Sequence, residues 1–158
     1  MDSQLTLRPV EAGDQAFLLA LVESTRGDLS VLDATVRAML VRMQYDAQLS
    51  DYRRRFPNLE ERVVLADGVP AGRLMVARKV DEIRLVDIGL LPAFRGQGIG
   101  CRLLAMLQDE SRQSGRPLRL HVLQGNPACD LYRRLGFQPG VAEGLHLAME
   151  WQPILLKE

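Results

Sequence analysis

Between Asp87 and Leu104 the chain reads DIGLLPAFRGQGIGCRLL, with glycines at 96, 98 and 100 where an apolar run gives way to a helical pattern. Glycines at such a junction let backbone N–H groups face inward with no Cβ in the way, and the start of a helix adds partial positive charge. Together they suit a pyrophosphate. Two nucleotide loops are excluded by spacing: no Lys-Ser or Lys-Thr follows the glycines, and GxGxG stands where a dinucleotide fold needs GxGxxG. The plain alternative is a glycine turn with no ligand.

A second segment, Asn126-Pro127-Ala128 through Leu131-Tyr132-Arg133-Arg134-Leu135-Gly136-Phe137, lies 26 residues beyond Gly100. Taken alone it is an amphipathic helix ending at a glycine cap, with Tyr132 a core aromatic. The two segments together resemble the GNAT N-acetyltransferases. Arg95-Gly96-Gln97-Gly98-Ile99-Gly100 is similar to the family's [RQ]xxGx[GA] acetyl-CoA motif, and the later segment to its NxxAxxLYxxxGF pattern, with Ala128 two residues after Asn126 as a small departure. The likeness covers roughly residues 60 to 151; the N-terminal third matches only in outline. It implies acetyl-CoA as co-substrate, its pyrophosphate held by backbone amides of Arg95, Gly96, Gln97, Gly98, Ile99 and Gly100. Arg95 would orient the loop more than neutralise charge. The resemblance also implies that Ile88, Gly89 and Leu90 pair with the pantetheine amides like an added strand. Asn126 would hold the CoA arm where two parallel strands splay, and Tyr132 would lie near the thioester sulfur.

Acetyl transfer from a thioester to an amine needs a neutral nucleophile, a stabilised oxyanion and a proton for the departing thiolate. An alkylamine with a pKa of about 10 is mostly protonated at neutral pH, so a group must remove its proton. Tyr132 can protonate or hydrogen-bond the thiolate. A strand-end N–H, that of Leu90, can polarise the acetyl carbonyl. Direct transfer is preferred to an acetyl-cysteine route because neither Cys101 nor Cys129 has an obvious activating His. The base is Asp87, Glu82, His121 or a water relay. Asp87 stands one residue before the apolar strand end, where many family members carry an acid; its plain reading is a sheet or surface carboxylate. His121, alternating with Leu120 and Val122, also reads as a structural histidine.

These groups need elements to hold them. Alternation predicts strands at 5–8, 63–66, 71–80, 83–90 and 118–123, with an Asp67-Gly68 hairpin turn and a closing strand pair within 137–151. Helical spacing predicts helices at 14–26, from Ser30/Asp33 towards Arg55, at 98–114 and at 127–135. The second helix is expected to turn Val36, Leu40, Met43 and Ala47 inward, and the third Ile99, Leu103, Met106 and Leu107. The order implies an α/β (α+β) fold with a mostly antiparallel mixed sheet, flanked by helices. Its one parallel pair joins 83–90 to 118–123 through a helical crossover. That is the GNAT acyl-CoA N-acyltransferase fold implied by the resemblance, here a single domain over 1–158.

Composition bounds the rest. The chain has 158 residues, 47% hydrophobic and 25% charged, with 20 basic against 20 acidic side chains. Zero net charge offers no whole-protein attraction to nucleic acid or an anionic membrane. Two cysteines without metal-ligand spacing, and a start (MDSQLTLRPVEAGD) lacking a basic-then-apolar leader, fit a soluble cytoplasmic protein with no metal. The expected partners are acetyl-CoA and an amine acceptor, with no nucleic acid and no membrane; a homodimer through the closing strands is compatible with the sequence. The leading reading is N-acetylation of a primary amine on a small molecule or a peptide. The alternatives are a protein N-terminal or lysine acetyltransferase, and a non-catalytic acyl-CoA-binding or regulatory module that would not need Tyr132.

Overall fold

The computed structural model describes residues 3–153, so the two ends of the expected 1–158 domain lie outside the described residues. Seven strands appear among them: β1 (Leu5–Pro9), β2 (Leu59–Ala66), β3 (Val69–Arg78), β4 (Ile83–Leu90), β5 (Leu118–Leu123), β6 (Gln138–Glu143) and β7 (His146–Trp151). They form one sheet in the order β1-β2-β3-β4-β5-β7-β6. Four α-helices accompany it: α1 (Gln15–Glu23), α2 (Ala34–Arg55), α3 (Ile99–Ser114) and α4 (Ala128–Arg134). The backbone clusters into two compact units, one holding the chain up to Met75 with Asp87–Gln97, the other Val76–Val86 with the chain from Gly98 on.

In the first unit β1 pairs antiparallel with β2, from Leu5↔Ala66 to Pro9↔Arg62. The hairpin into β3 turns on Asp67 (φ 49°) and Gly68 (φ 81°), the two left-handed residues that an Asp-Gly hairpin requires. Before α1, the Asp14 carboxylate accepts from the Glu11 N–H at 2.7 Å and from both ends of the Arg8 fork at 2.7 and 2.8 Å. The helix then buries Leu18, Leu21 and Val22. A 3-10 turn over Gly27–Val31 intervenes, and Asp33 caps α2 by accepting from the Val36 N–H.

α2 corrects the expected stripe. Val36, Met39 and Met43 are exposed, and Val41 and Tyr45 are buried instead, in one core with Leu18, Val22 and Leu29. A helix with apolar residues on two opposite faces has no single answer in its own periodicity. The face turned inward carries Val41 and the large Tyr45 ring, 5% exposed.

In the second unit the start of β4 pairs parallel with β5, Ile83↔Leu118 through Leu85↔Leu120. β5 pairs antiparallel with β7 along its whole length, and β7 with β6. α3 buries Ile99, Leu103, Leu104 and Leu107, while Met106, expected inside, is exposed. Gly115 ends the helix in the left-handed region (φ 71°), its N–H donating to the Ser111 carbonyl at 2.9 Å. Gly136 (φ 97°) ends α4, and Phe137 behind it is 2% exposed.

Candidate functional site

The second half of β4 belongs to the first unit and carries Asp87, Ile88, Gly89 and Leu90. Three neighbours in that unit fix its path. Leu91 N–H donates to the Ala71 carbonyl on β3 at 2.8 Å. A Cβ on Gly89 would meet the Leu21 side chain of α1 at 3.9 Å, an ordinary packing distance. From the loop that follows, Arg95 Nε donates to the Leu90 carbonyl at 3.0 Å, with Nη2 reaching Ser24 Oγ at 3.3 Å. Arg95 therefore braces the strand end.

The loop itself is exposed from Arg95 to Gly98. Gly96 (φ 73°) and Gly98 (φ 79°) are left-handed, and nothing lies within 4 Å of a Cβ built on either. Gln97 ties back to the Ala93 carbonyl at 2.9 Å. Gly98 is the N-cap of α3, Arg102 N–H bonding its carbonyl at 3.1 Å, so Ile99 and Gly100 begin the helix. The sequence reads three alternating glycines alike. In the structure two make the turn, and Gly100 is a helical residue with open space where its side chain would be.

Asp87 is not alone. Arg73, mid-strand in β3 and 4% exposed, pairs through Nη2 with Asp87 Oδ2 at 2.5 Å and through Nη1 with Glu61 on β2 at 3.5 Å. Gln48 of α2 accepts from Arg73 Nη2 at 3.4 Å, and the Tyr45 ring lies 5.9 Å from the guanidinium carbon. The row Glu61–Arg73–Asp87 is thus a carboxylate–guanidinium–carboxylate series on three strands, floored by α2. Glu61 Oε2 and Arg73 Nε are buried without a hydrogen bond. Burial pushes the Glu61 carboxyl above the usual range, and the positive charges of Arg73 and Arg53 offset this only in part. Burial raises the Tyr52 hydroxyl as well, with the charge of Asp87 adding to it.

Sequence reasoning missed Gly72 and Arg73, although AGRLMVA carried both signals. A glycine inside a strand marks a close backbone approach, and an arginine inside an apolar run is buried only when paired.

The second unit holds the remaining candidates. Asn126 Oδ1 accepts from the Ala128 N–H at 2.9 Å at the start of α4, leaving its NH₂ to donate elsewhere. Asn126 also lines a cavity of about 440 Å³ with Pro127, Cys129, Arg133, Pro139 and Leu147. Tyr132 is not among the lining residues; it is 6% exposed, its ring 5.6 Å from that of Phe137. Glu82 and His121 belong to a different cluster. Burial pushes the Glu82 carboxyl up, but the 2.8 Å Arg84 bond and the charges of Arg84, Lys79 and Arg119 hold it below the usual range. Arg84 Nη1 lies 2.7 Å from His121 Nδ1. Both are therefore engaged by arginines. The Cys129 thiol donates to the Leu123 carbonyl at 3.5 Å, and both cysteines are unpaired. Among the described residues no group of three or more His, Cys, Asp or Glu could hold a metal ion, and no helix is long and apolar enough to cross a membrane.

Known proteins are similar to this chain. The Bos taurus thialysine N-epsilon-acetyltransferase is 43% identical over 68 residues, 41% of this chain and 40% of that protein. A Bacillus subtilis protein named as a ribosomal protein bS18-alanine N-acetyltransferase is 32% identical over 80 residues, 49% of this chain and 53% of its own. The matched segments thus span about half or less of these curated relatives. The fold is that of the PaiA N-acetyltransferase from Thermoplasma acidophilum, solved with coenzyme A. The TM-score is 0.69 at 17% identity, over 94% of this chain and 99% of that one. A family model described as an acetyltransferase (GNAT) domain matches residues 60–139, half of the chain and both of its motifs, and the chain belongs to that family.

Proposed function

We propose that the protein is an acetyl-CoA-dependent N-acetyltransferase that moves an acetyl group directly onto a primary amine of a small molecule or peptide. The observation that carries this is the family match over 60–139, which contains the glycine loop and the Asn126–Phe137 segment. The left-handed Gly96 and Gly98 leading into α3 support backbone binding of the pyrophosphate. The relatives named for thialysine and for a ribosomal-protein alanine support a primary amine as acceptor.

In this reading Asp87 takes the amine's proton, directly or through water. Glu82 and His121, which like Asp87 are engaged by an arginine, are the alternative bases. The Leu90 N–H donates to the carbonyl oxygen as it becomes an oxyanion. Tyr132 gives a proton to the departing thiolate, and the Asn126 NH₂ donates to the CoA arm. Two unpaired cysteines support a reducing, cytoplasmic setting. β6, exposed along all six residues, is the edge on which a second copy would pair.

The test is calorimetric titration with acetyl-CoA of wild type and Gly98→Trp, followed by an amine screen. One acetyl-CoA per chain, lost in a folded variant, is the expected result. No binding by wild type freed of co-purified CoA overturns the reading.

A further inference from the structure

Gly72 stands in the middle of β3, where glycine gives up both strand propensity and a packing side chain. Its surroundings supply the reason. A Cβ built there would lie 2.2 Å from the Gly89 carbonyl oxygen and 2.7 Å from a methyl of Leu90. The leucine methyl could swing aside, but the carbonyl could move only with its whole peptide plane. Gly72 is therefore what lets the Gly89 carbonyl project towards β3.

The direction of that carbonyl has a consequence for Leu90. Every described peptide is trans, so the Leu90 N–H, in the same plane as the Gly89 C=O, points the opposite way, off the β3 side. The next peptide agrees. Leu91 N–H bonds Ala71 on β3, which turns the Leu90 C=O away from β3, where Arg95 Nε takes it.

We infer that Gly72 is a positioning residue for acetyl transfer: by leaving room for the Gly89 carbonyl it aims the Leu90 N–H as the donor to the acetyl carbonyl. This rests on the acetyl-CoA reading above. A side chain at position 72 would push the Gly89–Leu90 peptide outward and tilt the N–H from its line. The loss falls on the oxyanion-forming step, while the loop that holds the pyrophosphate is untouched.

The experiment compares wild type, Gly72→Ala and Gly13→Ala with an amine that wild type accepts. A Cβ on Gly13 has nothing within 4 Å, so that variant controls for adding a methyl group. For Gly72→Ala the expected result is a kcat lower by about 100-fold, the scale of losing one oxyanion donor, with the KM for acetyl-CoA within about fivefold. A folded Gly72→Ala with unchanged kcat overturns the inference, as does a loss confined to KM. Should Gly72→Ala not fold, amide exchange on wild type decides. Leu90 N–H should exchange freely without ligand and at least about tenfold more slowly with acetyl-CoA. Protection of Leu90 N–H in the free protein equal to that of Leu91, or no slowing with acetyl-CoA bound, overturns it. Failure of wild type to bind acetyl-CoA would instead sink the underlying functional reading, which the calorimetric titration registers separately.

Discussion

Arg73 on β3 joins Asp87 on β4 through a 2.5 Å ion pair and faces Glu61 on β2 with its other terminal nitrogen. The guanidinium is buried, so its charge is balanced by these two carboxylates and not by water. The carboxylate proposed to meet the acceptor amine is thereby tied to the interior of the sheet.

Removing the central charge should be costly. Arg73→Met leaves Asp87 and the buried Glu61 facing each other and should lower stability by about 3 kcal/mol, in the range for breaking a buried pair by deleting one partner. Arg73→Lys should recover part of this, since it restores the charge without the fork. Urea denaturation of the three proteins measures both; a Met variant within about 1 kcal/mol of wild type would mean that solvent reaches the row.

Two carboxyls should titrate on opposite sides of the ordinary range. The Arg8 hydrogen bond, helped by the Glu11 N–H, holds Asp14 at about 2. Its stabilising contribution is present above its unfolded value of about 3.9 and is lost as pH falls towards 2. Arg8→Met should remove that acid limb. Glu61, pushed up by burial, has the opposite sign: as pH climbs past about 4.3 the unfolded chain releases its proton first, and stability falls. Glu61→Gln should therefore gain on wild type across that rise. Carboxyl carbon NMR titrations, with denaturation at pH 3 to 8, would expose a reversed order.

At the glycine loop, Gly96→Ala should cost about 1 to 2 kcal/mol, from a left-handed φ alone, because the space around its Cβ is open. Acetyl-CoA affinity should fall by more than tenfold in a protein that still melts cooperatively. An alanine variant that binds as tightly as wild type would detach the left-handed turn from ligand binding.

Tyr132→Phe keeps the ring that packs on Phe137 and deletes the hydroxyl. We expect melting within a few degrees of wild type, unchanged acetyl-CoA binding, and a kcat lower by about 100-fold, the low end for loss of a general acid. A variant with full kcat would return Tyr132 to its reading as a core aromatic.

The order of strands and helices was legible because each element announced itself locally. Asp67-Gly68 favours a two-residue hairpin turn, Gly115 closes a helix that its apolar stripe opens, and β4 and β5 have the bounds that alternation predicts. The glycine loop was legible for the same reason, since its chemistry lies in the backbone and in residues adjacent along the chain. What local pattern could not hold was any choice between two acceptable local answers. The inward face of α2 was decided by what Tyr45 packs against, and the cross-strand pairs of Glu82 with Arg119 and of His121 with Arg84 by which strands lie side by side. Gly72 and Gly89 are 17 residues apart in the chain, and so is the reason that position 72 lacks a side chain. Sequence by itself determined the family and the elements, because turns, caps and periodicity are set by near neighbours. Tertiary structure alone decided the partner of Asp87 and the aim of the Leu90 N–H, because both depend on which residue the next strand brings opposite.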